Sequence, residues 1–262
     1  MGYDMLRFSG VPARRIMPIL SHGISDPGCV RPENQDRILV DDAAGLYVVC
    51  DGVGGRRRGG VAAEIAVNAI RQCIESSGDP SDVTWPFGYN TRMSFAANRL
   101  FTAVRLANRQ VWRRSEESLE FLGMGTTVTA VLIERARVAI ANIGDTRVYL
   151  FRGESLEQLS LDHTASTQVP SGSGMVVRTV LTSAAGSQEN VEVHMAEREL
   201  RDADLLLLCS DGLYNAVPEA RIAAVLSGSQ VVREQAEALV RAARTAGAPD
   251  NISAVVLRYG AE

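Results

Sequence analysis

The sequence predicts an α+β fold in which antiparallel sheets are covered by helices. Strand-like runs cluster apart from pairs of helix-like runs, as that class requires. Three strand runs, at about 126–133, 137–143 and 147–152, are separated by turns of two to four residues. Links that short join antiparallel neighbours, which reads as a meander. Residues 204–210, DLLLLCS, are apolar almost throughout, as expected of a strand buried on both faces.

The other elements follow in chain order. Apolar runs at 36–40 and 45–50, joined by Asp41-Asp42-Ala43-Ala44-Gly45, read as a hairpin. Residues 61–76 carry apolar residues at helical spacing, and Gly78-Asp79-Pro80-Ser81 ends that helix. Trp85-Pro86-Phe87-Gly88-Tyr89 reads as a loop whose rings plug the surface of the helices. Residues 94–114 form a second helix, with Phe95, Leu100, Val104, Ala107 and Val111 on one stripe. The stretch 164–190, rich in Ser, Thr, Gly and Ala, reads mostly as loop. Helices at about 219–226 and 231–246 and a strand at about 252–258 close the chain.

The composition narrows the class. At 262 residues, 46% hydrophobic and 22% charged, the chain is globular rather than disordered, collagenous or coiled-coil. A net charge of −4, from 27 basic and 31 acidic residues, counts against nucleic-acid binding. Cys29, Cys50, Cys73 and Cys209 show no CxxC spacing and read as free thiols in a reducing compartment. No apolar stretch approaches the ~18–20 residues that span a bilayer. The first twenty residues lack the apolar core of a secretory signal, and Leu6 breaks a myristoylation motif. A cytoplasmic protein without nucleic-acid or membrane partners is expected, by default a monomer.

The informative feature is where aspartates fall. Asp36 opens the first hairpin strand and Asp51 closes the second, so both lie at one edge. Asp145 occupies the Gly144-Asp145-Thr146 turn, Asp211 follows the apolar run, and Asp250 precedes the last strand. If the last two strands are antiparallel neighbours, Asp211 and Asp250 also share an edge. Any one of these is most simply a turn residue. Together, carboxylates at the end of a buried sheet repel unless a cation neutralises them. An all-oxygen site selects Mg²⁺ or Mn²⁺, and His22, His163 and His194 have no zinc-site spacing. Two such ions sharing a water suit hydrolysis of a phosphate ester, with Arg31 a candidate clamp for the phosphoryl oxygens.

The residues resemble the metal-dependent PP2C-type (PPM) serine/threonine phosphatases, in their compact bacterial form. The matching segments run in family order over about 21–258. They are residues 25–36, with Arg31, Asn34, Gln35 and Asp36, then Val49-Cys50-Asp51-Gly52-Val53-Gly54-Gly55 with Gly59, then Gly125-Thr126-Thr127. Gly144-Asp145-Thr146-Arg147, Leu161-Asp162-His163, Ser210-Asp211-Gly212-Leu213 and Asp250-Asn251 complete the set. The resemblance implies a sandwich of two antiparallel sheets flanked by helix pairs, in four layers, with a shortened flap segment. Residues 1–20 would be an N-terminal extension and first strand, and 21–260 a single phosphatase domain. It implies hydrolysis of phosphoserine and phosphothreonine in proteins by a hydroxide bridging two Mn²⁺ or Mg²⁺ ions, with a third ion possible. Asp51 would bridge the ions, assisted by the Gly52 carbonyl. Asp211 and Asp250 would hold one ion, and Asp36 would serve the other directly or through water. Asp145 would support the third ion, and Arg31 would contact the substrate phosphate. A bacterial serine/threonine kinase and its targets are the implied partners.

The chain departs from the family pattern at four places. As in many bacterial relatives, Val53 stands where eukaryotic members often have histidine; Gln35 stands where some members have glutamate, and Asn215 where some have an acid. The segment between His163 and Leu205 is short for the flap usually found there, which would alter substrate selection more than chemistry. Arg56, Arg57 and Arg58 read as a solvated loop, or more sharply as an attractor of phosphorylated substrates. A phosphoprotein-binding module with a disabled site is the competing reading, and intact Asp51, Asp211 and Asp250 count against it.

Overall fold

The computed structural model describes residues 18–54, 58–78, 83–171 and 174–260. The N-terminal extension before residue 18, Gly55, Arg56 and Arg57 lie outside the described residues, as do Asp79, Pro80 and Ser81 of the expected helix stop. One five-stranded sheet has the order β1 (Ile19–Asp26), β14 (Ile252–Tyr259), β13 (Leu205–Cys209), β8 (Arg147–Arg152), β9 (Ser155–Gln158). The other has the order β12 (His194–Glu199), β7 (Arg137–Ile143), β6 (Val128–Glu134), β3 (Leu46–Cys50), β2 (Arg37–Asp41). Every pairing in both is antiparallel. Two short ladders lie outside them, β4 (Gly52–Val53) with β5 (Gly125–Thr126), and β10 (Thr164–Ser171) with β11 (Gly174–Leu181).

The sheets face each other across a core that includes Tyr47, Val49, Val131 and Ile140 from one and Leu206, Leu208, Val255 and Leu257 from the other. The opposite faces of the same strands are also covered. Leu46, Val48 and Cys50 pack under α1 (Arg58–Ser76) and α2 (Phe95–Glu116). Leu205, Leu207 and Cys209 pack under α3 (Asp211–Tyr214), α4 (Glu219–Gly228) and α5 (Val232–Thr245). A strand covered on both faces has no polar side to alternate with, so β3 and β13 read as unbroken apolar runs. Cys50 and Cys209 are buried, and all four cysteines are free. The expected α+β architecture, with helix pairs outside two antiparallel sheets, is the one observed.

Two expectations fail and one strand was not anticipated. The runs at 137–143 and 147–152 are not meander neighbours: β7 pairs with β6 and β12, whereas β8 pairs with β13 and β9. Residues 144–146 instead carry the chain from one sheet to the other. A three-residue link can close a hairpin or turn such a corner, and Gly144, at φ +102°, supplies the conformation the corner needs. The stretch 164–190 is not mostly loop, because β10 and β11 form a hairpin through 164–181. Its Met175, Val177 and Val180 are exposed, so no buried face imposes alternation. Finally, β12 was not anticipated. It is a sheet-edge strand whose sequence, HMAERE, is dominated by charge at its end, as edge strands tend to be. The Trp85 ring does pack edge-on to Tyr89 and Phe95, and the Phe87 ring lies beneath the guanidinium groups of Arg105 and Arg109.

Candidate active site

The acids gather at one end of the sandwich because of strand register. Arg37 pairs with Cys50, so the flanking Asp36 and Asp51 are neighbours. Cys209 pairs with Ala254, so Asp211 and Asp250 leave and enter adjacent strands. Gly212 permits that approach, since a Cβ there would lie 2.1 Å from the Asn251 carbonyl oxygen. Gly212→Ala is therefore expected to displace Asp211 and Asp250 together, visible as lost activity and a Tm lowered by several degrees. Asp145 reaches the same end from the inter-sheet corner. There the Tyr214 hydroxyl donates to its carbonyl at 3.0 Å, and the His163 N–H donates to the Gly144 carbonyl at 2.9 Å. Arg31, Asp51, Gly52, Asp145, Asp211 and Asp250 all line one cleft of about 860 Å³. Asp36, only 2% exposed, lies beneath its floor.

The backbone of Asp51 is held by two threonines. Thr127 Oγ1 accepts the Asp51 N–H at 2.9 Å, while the Thr127 N–H and Thr126 Oγ1 donate to the Asp51 carbonyl at 2.8 and 2.9 Å. Ser210 and Ser253 both donate to Asp36 Oδ2, at 2.8 and 2.7 Å, whereas Asp36 Oδ1 is buried and receives no hydrogen bond. Asn251 ties down the loop that carries Arg31. Its Nδ2 donates to the Pro27 and Glu33 carbonyls, each at 3.0 Å, and its Oδ1 accepts the Gln35 N–H at 2.9 Å. Thr126, Thr127, Ser210 and Asn251 stand inside the motifs recognised in the sequence, but Ser253 had no signal of its own. Its role depends on β14 register alone.

Burial and mutual repulsion disfavour the charged form of most of these carboxyls. Burial pushes the Asp51 carboxyl well above its usual range, and Asp36, Asp211, Asp250 and Asp145 push it further. Asp36 rises to about 6, chiefly through burial. Asp211 also rises to about 6, through burial and then Asp145 and Asp250. Asp145 is raised by burial and by Asp162. Asp250 is the exception: burial would raise it, but Arg31 holds it below the ordinary carboxylate range. Arg31 Nε and Nη2 donate to the two Asp250 oxygens at 2.8 and 2.7 Å, in a fork-on-carboxylate arrangement at the mouth of the cleft.

The chemistry of the site fits divalent cations. Its donors are carboxylate and carbonyl oxygens, which suit Mg²⁺ and Mn²⁺. Asp36 Oδ1 and Asp211 Oδ1 are both buried without a hydrogen-bond partner, and their elevated carboxyls lack only positive charge. Among the described residues no three acidic, histidine or cysteine side chains already converge on one point. Asp250 is turned to Arg31, and Asp211 accepts from Asn215 Nδ2 at 3.2 Å, so cation binding competes with both contacts. Gln35 and Val53 line the cleft without offering a charge. Arg58 is tied at 2.9 Å to the Leu122 carbonyl.

An acidic floor suited to hard cations, beneath a guanidinium suited to phosphate, is the arrangement of a metal-dependent phosphoric ester hydrolase. The comparisons agree. The family model for protein phosphatase 2C matches residues 32–254. The serine/threonine phosphatase Stp of Listeria innocua is similar to this chain, with 30% identity over 248 residues, 89% of this chain and 93% of its own length. The serine/threonine protein phosphatase PstP of Mycobacterium tuberculosis is 33% identical over 242 residues, 88% of this chain and 43% of its own length. The crystal structure of the PstP catalytic domain in complex with two manganese ions superposes with a TM-score of 0.75 at 29% identity, covering 93% of this chain and 99% of that one. The chain belongs to the protein phosphatase 2C family. Among the described residues no helix is long and apolar enough to cross a membrane.

Proposed function

We propose that this protein removes phosphate from phosphoserine and phosphothreonine in proteins, using two Mg²⁺ or Mn²⁺ ions. The observation that carries the reading is that Asp51, Asp145, Asp211 and Asp250 line one cleft with Arg31, above the buried Asp36, with Asp36 Oδ1 and Asp211 Oδ1 buried and without a hydrogen-bond partner. In this reading Asp51 and the Gly52 carbonyl would serve both ions, Asp211 and Asp250 would hold one, Asp36 would serve the other directly or through water, and Asp145 would support a third where one binds. When bound, the cations supply charge for the phosphoryl oxygens and lower the pKa of the attacking water. The substrates would be targets of a serine/threonine kinase, as the family implies, and the phosphatase would act in the cytoplasm as a monomer.

The test is hydrolysis of p-nitrophenyl phosphate and a phosphothreonine peptide by purified protein, with Mn²⁺ and Mg²⁺ titrated and EDTA as control. Activity that requires metal and is abolished by EDTA supports the reading. A folded protein inactive with either ion, yet able to bind the phosphopeptide, overturns it in favour of a binding module.

Arg31 orients the substrate by exchanging the Asp250 carboxylate for the phosphate, since one planar fork fits both. Arg31→Ala removes hydrogen bonds to a charged group worth about 1.5–3 kcal/mol. It is expected to lower kcat/KM for the peptide by about tenfold to a hundredfold, mostly through KM. An unchanged KM would place Arg31 outside the substrate site.

The hairpin supplies a wall of the cleft through Thr179 and Leu181. Side chains alternate along a strand, so Val177, 63% exposed, continues the same face outward. Val177→Ser is expected to raise KM for the peptide several-fold and to leave p-nitrophenyl phosphate hydrolysis unchanged, because the small ester does not reach it. Equal effects on both substrates would contradict a role in peptide selection.

A further inference from the structure

We propose that Asn108, in the middle of the outer helix α2, is a positioning residue for metal binding at Asp51, acting through the segment 182–191 that returns from the hairpin. The proposal rests on the reading of Asp51 as a metal ligand.

Asn108 is fully buried beside Leu100, Ala103, Val104, Ala107 and Val111 of the same helix, which also buries Asn98, Thr102 and Ser115. An apolar residue would pack there without the desolvation penalty of an amide, and asparagine is a weak helix former. What the amide does is bind the returning segment. Its Nδ2 donates to the carbonyls of Gln188 at 3.1 Å and Glu189 at 2.9 Å, and its Oδ1 accepts the Gly186 N–H at 2.8 Å. One turn earlier, Arg105 donates to the Val191 carbonyl at 3.0 Å and to Asn190 Oδ1 at 2.8 Å. Residues 186–191 are thereby fastened to α2 at five points.

The near end of the same segment grips the catalytic backbone. The Thr126 N–H donates to the Ala185 carbonyl at 3.0 Å, and the Ala185 N–H returns the bond to the Thr126 carbonyl at 2.7 Å. Thr126 Oγ1 in turn donates to the Asp51 carbonyl at 2.9 Å, and Thr126 pairs with Gly52 across the β4–β5 ladder. A continuous hydrogen-bonded path therefore runs from Asn108 through 185–189 and Thr126 to Asp51 and Gly52. Loss of a direct hydrogen-bond partner of a metal ligand typically weakens metal affinity about 10- to 100-fold, and Asn108, acting one layer further out, is placed at the low end of that range.

The experiment is a Mn²⁺ titration of the full chain by isothermal calorimetry without substrate, together with amide hydrogen exchange over residues 125–127. The variant Asn108→Ala is compared with Leu239→Ala, a destabilising change in buried α5 on the far layer. The expected result is a Kd for Mn²⁺ raised about tenfold in Asn108→Ala, with lost protection at 125–127. Leu239→Ala should show neither change at similar Tm. An unchanged Kd in Asn108→Ala, or an equal loss in Leu239→Ala, overturns the proposal. If Asn108→Ala does not fold, Arg105→Ala loosens the same segment and must shift Kd and exchange in the same direction; no shift overturns the proposal. Wild-type protein that binds no Mn²⁺ overturns the underlying reading of Asp51 and the proposal with it. Metal binding that is normal in wild type and in Asn108→Ala removes the proposal alone.

Discussion

Asp51→Asn is expected to abolish hydrolysis of both p-nitrophenyl phosphate and phosphopeptide, with kcat reduced at least about 10³-fold. That factor is about 4 kcal/mol of transition-state stabilisation, within the several kcal/mol that cations supply when they neutralise a phosphoryl group. The substitution keeps the shape of the side chain, and the contacts of Thr126 and Thr127 are to the Asp51 backbone, so they survive. What is lost is one negative charge at the centre of the cluster. The same change at Asp211 is expected to act in the same direction. At Asp145, on the inter-sheet corner and half-buried, the effect is expected to be smaller. Activity of Asp51→Asn within tenfold of wild type, at saturating Mn²⁺, would remove Asp51 from the centre of the mechanism.

The strand edges that define this site were legible because antiparallel pairing converts sequence position into spatial position. The hairpin of β2 and β3 joins Asp36 to Asp51 by local turn chemistry, and the β13 apolar run marks a central strand with Asp211 at its end. Asp145 was found at the right place for an incomplete reason. Its turn does not close a hairpin but crosses between sheets, a distinction that depends on which partners β7 and β8 choose, and both strands are apolar enough for either. The hairpin of β10 and β11 was missed because Met175, Val177 and Val180 are exposed and so impose no burial period. Ser253 and Asn108 were missed for a further reason. Ser253 is one hydroxyl in a mostly apolar strand and Asn108 one of several polar residues in α2, and the partner, Asp36 in one case and the 186–189 backbone in the other, lies 217 or about 80 residues away in sequence.

The same charge cluster that favours cations is expected to destabilise the protein without them, and Asp36→Asn should expose this. In the metal-free protein Asp36 is raised to about 6 from an ordinary value near 3.8. The folded state thus binds that proton more tightly than the unfolded chain does. Its stabilising contribution is complete below about pH 4 and is lost as pH rises through about 6. At pH 7.5 the buried, ionised Asp36 costs on the order of 3 kcal/mol relative to a neutral group, since each tenfold change in proton affinity is worth about 1.4 kcal/mol. Asparagine is neutral and can still accept from Ser210 and Ser253. Metal-free Asp36→Asn is therefore expected to melt above metal-free wild type at pH 7.5, by about 5 °C or more given ~2–4 °C per kcal/mol for a chain of this size. The advantage should shrink as pH falls and vanish near pH 4. Mn²⁺ at about a thousand times its Kd should reverse the order, because such a ligand adds about 4.1 kcal/mol to the protein that binds it, more than the metal-free difference, and Asp36→Asn should gain little. Thermal melts of both proteins in EDTA and in Mn²⁺, from pH 4 to 8, provide the measurement. If metal-free Asp36→Asn melts below wild type at every pH, Asp36 stabilises the fold through its serine contacts rather than straining it through its charge. The acidic floor would then be a structural network rather than a seat for cations.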